Sequence, residues 1–126
     1  MDIADERRKI LDGTYSSKVI QGRQNKHIQG TVEFEQKRGQ MQKDSPGSEP
    51  AILTADSEEL IKKYKGTGKI NIVKGSQYPE EIIDTSEIIG KTWVKSLQKY
   101  VDTKRIKILY SSTGVHIVPI SDYRKE

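Results

Sequence analysis

Apolar residues recur along this chain in short bursts, and their spacing changes from helical in the first half to alternating in the second. In residues 3–11, Ile3, Ile10 and Leu11 fall on one helical stripe, and Asp12-Gly13 stops it. Residues 12–25 are polar and turn-rich, and residues 26–34 (KHIQGTVEF) read as a short strand or an extended lead-in. Residues 36–50 show no period and combine Gly, Pro, Ser and charge, which predicts an exposed, mobile loop. The best-marked helix follows. Thr54 or Asp56 can cap it, Glu59 completes a capping box with Asp56, and Leu60, Ile61 and Tyr64 form its apolar face. Gly66 and Gly68 end it.

Beyond it the pattern turns strand-like. Residues 70–73, 86–95, 104–110 and 114–120 are rich in β-branched or aromatic side chains, and Ser111-Ser112-Thr113-Gly114 joins the last two as a hairpin. A two-residue turn pairs Tyr110 with Val115, Ile108 with Ile117 and Ile106 with Pro119, so one face is wholly apolar and turns to the core. Alternation then leaves Arg105, Lys107 and His116 on the opposite face. The fold class predicted is α+β: a small antiparallel sheet packed on one face by one or two helices, with residues 1–20 a helical arm or linker remnant and 21–126 the domain proper.

Composition sharpens this picture. Of the 126 residues, 33% are hydrophobic and 32% charged, so the core must be thin and one sheet face is left for other use. The absence of cysteine excludes disulfides, thiolate metal sites and a cysteine nucleophile. No apolar run approaches the roughly 18 residues of a membrane span, so no membrane partner is expected. The net charge of +4 is unevenly spread, with the excess in residues 91–126. That distribution favours a polyanionic partner. Lys65-Gly66-Thr67-Gly68-Lys69 superficially resembles a phosphate loop, but its spacing is wrong and it follows a helix, so it reads as a helix C-cap.

The off-core face suits phosphodiester cleavage through a 2′-hydroxyl. That chemistry needs a base, an acid and cations for the phosphorane, and histidine titrates in the right range to be either of the first two. The two histidines, His27 and His116, have no carboxylate cluster beside them, so no metal and no cofactor are expected.

Two motifs carry a family resemblance. Gln24-Asn25-Lys26-His27-Ile28-Gln29-Gly30-Thr31 resembles the Q-x-K-H-I-x-G-T signature of the polymorphic toxin type 50 domain, and residues 110–119 resemble its Y-S-K-K-G-x-H-I-V-P ending. Ser112-Thr113 departs from the two lysines common there. The resemblance implies a metal-independent endoribonuclease of the barnase–EndoU–colicin–RelE fold group, with Lys26, His27, Thr31, Arg105, Ser111 and His116 as its active-site set. Lys107, Tyr110, Ser112 and Thr113 are the expected substrate contacts. His27 is the expected base and His116 the acid. It further implies an RNA substrate, a cognate acidic immunity protein, a monomer, and delivery within a larger protein, as in contact-dependent inhibition, to a target-cell cytoplasm. The alternative is a non-catalytic module that binds nucleic acid or protein through its basic face.

Overall fold

A computed structural model describes residues 2–123; residue 1 and residues 124–126 of the expected domain limits lie outside the described residues. The architecture is α+β, with two small antiparallel sheets and four helices. Helices are α1 (Ile3–Leu11), α2 (Gln21–Gln24), α3 (Val32–Asp44) and α4 (Ser57–Tyr64), and a 3-10 turn, Asn25–His27, continues α2. Strands are β1 (Ile52–Leu53), β2 (Lys69–Asn71), β3 (Glu80–Asp84), β4 (Gly90–Val94), β5 (Lys99–Thr103), β6 (Arg105–Tyr110) and β7 (Val115–Ile120).

The larger sheet has order β2-β3-β6-β7 and the smaller has order β1-β4-β5. The β6–β7 hairpin takes the predicted register: Tyr110 opposite Val115, Ile108 opposite Ile117, Leu109 opposite His116 and Arg105 opposite Ile120. Its inward face is sealed, with Ile106, Ile108, Val115 and Ile117 at zero exposure. Leu60 and Ile61 of α4 and Ile10 of α1 cover that face. Hence α1 is docked on the core rather than projecting as an arm, and Arg7 hydrogen-bonds the carbonyls of Gly66 and Gly68.

Three differences from the sequence reading have physical causes. Residues 36–44 of the expected mobile loop, with 32–34 of the expected strand, belong to α3. Thr31 caps it, accepting from the Phe34 amide at 3.1 Å, and Glu33 and Glu35 complement the helix dipole. Phe34 is its one fully buried side chain, so it carries no apolar stripe. Residues 26–31 accordingly are a 3-10 turn and a helix cap instead of a strand. β3 escaped notice because its core-facing position 81 is a carboxylate: Glu81 is fully buried and accepts from Gly66 N, Gly68 N and Tyr110 Oη at 2.7–2.9 Å. Those two amides are thereby occupied, and Gly66-Thr67-Gly68 is a helix exit, as its position after α4 implied.

The outer edge of β7 is protected by chain from residues 18–24. Val115 donates to Lys18 O and accepts from Ile20 N, both at 2.8 Å. Gly114 is required by this approach, since a Cβ there would lie 2.3 Å from Lys18 O. At Ile117 the fully buried side-chain amide of Gln24 takes over as a strand would, donating to Ile117 O at 2.9 Å and accepting from Ile117 N at 2.7 Å. Pro119 has no amide to satisfy.

Candidate active site

The Gln24 amide pair also brings the two histidines into one neighbourhood. His27 lies three residues after Gln24 in the 3-10 turn, and His116 adjoins Ile117 on β7. His27 is buried, with 6% exposure, and its Nδ1 stands 3.0 Å from the Ala51 carbonyl. A carbonyl only accepts, so Nδ1 carries the hydrogen and the Nε2 lone pair is left to receive a proton. His116 is half-buried on the off-core face.

Both imidazoles are held neutral. Burial lowers the pKa of His27, and the charges of Lys37 and Lys26 lower it further, against the opposing bond to Ala51. His116 is pushed down to about 4, first by burial, then by the repulsion a second proton would meet from His27, and then by the positive charges of Arg23, Lys26 and Lys37. Lys26 from the turn and Lys37 from α3 therefore act on both rings, and Arg23 from α2 acts on His116. Among the described residues, none of the three enters an ion pair. The net effect is a small positive field around two uncharged rings. Such a field favours an anion over a cation.

The remaining predicted residues are distributed unevenly. Lys26 is exposed beside His27. Thr31 is near in sequence, but its Oγ1 is occupied, capping α3 and donating towards Asn25 O and Ile28 O at 2.7 and 2.9 Å. Ser111 donates to Gly114 O at 2.7 Å within the hairpin turn, where Ser112 and Thr113 are exposed. Tyr110 lies on the core side, 6% exposed, with its hydroxyl on Glu81.

Arg105 and Lys107 do share the His116 face, as alternation required. Arg105, however, is four positions along β6 from the residue opposite His116, roughly 13 Å at strand spacing. It is bound to Asp84 at 2.6 Å, and Lys107 lies 3.6 Å from Glu80. The acids on β3 thus neutralise the cations that sequence placed at the centre. Sequence reasoning missed Arg23 and Lys37. Arg23 precedes His27 by one helical turn, and Lys37 follows the buried Phe34 by three positions, but that second signal is readable only once α3 is known to be a helix.

Among the described residues, no group of three or more His, Asp or Glu gathers as a metal site would require, and no helix is long and apolar enough to cross a membrane. No curated protein matches the chain. A family model described as Bacterial toxin 50 matches residues 19–119, a span that takes in both histidines, Arg23, Lys26, Lys37 and every described strand but the last residue of β7.

Proposed function

The chain belongs to the bacterial toxin 50 family, and on that premise we propose that it is a toxin domain that cleaves RNA without a metal, using His27 and His116. The observation that carries the reading is the convergence of two neutral imidazoles with three unpaired cations. Arg23, Lys26 and Lys37 would hold the phosphodiester. His27, whose Nδ1 is pinned to Ala51 O, would take the 2′-hydroxyl proton on Nε2. The 2′-oxygen then attacks phosphorus, and His116 protonates the departing 5′-oxygen, leaving a 2′,3′-cyclic phosphate and a free 5′-hydroxyl.

A proton donor must carry its proton, which His116 does not in the free protein near neutrality. The substrate supplies the remedy. A phosphodiester among Arg23, Lys26 and Lys37 offsets the repulsion that depresses His116 and raises its pKa, so substrate binding charges the acid. Thr31 positions the catalytic turn by capping α3, and Ser111 shapes the hairpin end. Arg105 and Lys107 stand outside the cradle, at the far end of the face.

An acidic immunity protein covering the same cations would protect a producing cell, and delivery as part of a larger protein to a target cytoplasm, as a monomer, fits this chemistry. The test is incubation of the protein with total RNA in EDTA, with mass spectrometry of the ends. Cleavage that persists and yields cyclic phosphates is expected. Loss of activity in EDTA, or full activity in either His27→Ala or His116→Ala, overturns the proposal. Salt-sensitive RNA binding without cleavage would return the chain to the non-catalytic alternative.

A further inference from the structure

A cleft of about 290 Å³ adjoins the catalytic turn, its lining including Gln29, Glu35, Arg38, Glu49, Trp93 and Tyr100. Its walls share backbone with the His27 site. Gln29 is two residues beyond His27. Glu49 is two residues before Ala51, whose carbonyl holds the His27 ring. Arg38 follows Lys37 on α3.

The chemistry of the cleft is specific. Trp93 and Tyr100, cross-strand partners on β4 and β5, meet edge to face with centroids 5.1 Å apart. The polar end of each ring is already engaged: the indole N–H donates to Gly47 O at 2.7 Å and the phenol to Pro50 O at 2.9 Å. What remains for a visitor is π surface. Beside it, Arg38 grips Glu49 with Nε at 2.7 Å and Nη2 at 3.3 Å. This pair sets carboxylate acceptors next to guanidinium donors. The volume stands at the lower end for small-molecule sites, enough for a flat ring system and little more.

We propose that this cleft is a nucleobase subsite, seating the base next to the cleaved phosphate against the Trp93–Tyr100 aromatic surface and reading its edge with Arg38 and Glu49. The proposal rests on the RNA-cleaving reading for its biological sense, but not for its chemistry. Stacking accepts any base, whereas the ion pair discriminates. A base whose edge carries donors beside an acceptor suits it best. Guanine offers O6 with N1–H and the N2 amino group, so the subsite favours guanine.

Trp93 is the sole tryptophan of the chain and a built-in reporter. The full chain is titrated with GMP, UMP and ribose 5-phosphate while Trp93 emission is followed. Expected are saturable quenching by GMP, at least tenfold weaker binding of UMP, and at least tenfold weaker GMP binding in Glu49→Gln, with Arg38→Gln as the second variant should the first not fold. Absence of saturable quenching, or equal response to ribose 5-phosphate, overturns the subsite. The same titration in His27→Ala separates the two proposals. Retained GMP binding with unimpaired RNA cleavage in that variant sinks the catalytic reading alone, and a parent chain that does not bind GMP yet loses cleavage on His27→Ala sinks the subsite alone.

Discussion

At the scale of single residues, His116 is the histidine moved further from its behaviour in water. Replacing either histidine by alanine should lower RNA cleavage by about 10²–10⁴-fold with circular dichroism unchanged, the usual range for a missing general acid or base. Its depressed pKa adds a pH signature. In the free protein His116 is protonated only towards about pH 4, so kcat/KM should peak on the acid side of neutrality. If a bound phosphodiester raises that pKa as proposed, the kcat optimum should lie at higher pH than the kcat/KM optimum. Proton NMR titration of the imidazole, with and without a 2′-deoxy dinucleotide, measures the displacement directly; an unmoved resonance would contradict charging by substrate. Gln variants at Arg23 and Lys37 should weaken RNA binding more than Arg105→Gln, whose cation is already spent on Asp84.

Among the elements, the β6–β7 hairpin was fully legible, because a short turn and strict alternation leave one register that buries Ile106, Ile108 and Ile117. Helix α3 was not. Periodicity detects burial, and a helix that buries only Phe34 has almost none to show. Its remaining signal was the cap at Thr31, a residue that the family motif presented as part of the active site. Thr31→Ala should cost about 1 kcal/mol in urea denaturation, and Thr31→Ser should restore most of it. If Thr31→Ser is stable yet inactive, the hydroxyl has a role beyond the cap. Strands β3 and β5 were hidden for a related reason: charged residues interrupt both, and in β3 the buried Glu81 occupies a position where the pattern demands a hydrocarbon.

For the whole molecule, charge in sequence and charge in space diverge. The C-terminal excess of Lys and Arg suggested where a polyanion would settle, yet β3 contributes Glu80 and Asp84 to that face, while the cations left unpaired around the histidines come from the near-neutral first fifty residues. No window of sequence reveals a cancellation between strands 20 residues apart. The neutral histidines also tie stability to acidity. His116 titrates at its ordinary 6.5 when unfolded and near 4 when folded, so its contribution is intact above pH 6.5 and is lost as pH falls through that window, where the unfolded chain binds the extra proton. Urea titrations at pH 7 and pH 5 should show a smaller loss for His116→Asn than for the parent chain.

The side-chain amide of Gln24 on Ile117 means that the segments carrying His27 and His116, 89 positions apart, are held by one small clasp. Amide-proton exchange at Ile117 is therefore a clock for the intact centre: each time that N–H meets heavy water, the clasp has opened and the rings are free to drift apart. A Gln24→Ala chain should exchange there faster than at Ile106 or Ile108 on the neighbouring strand, and should lose cleavage before it loses its fold.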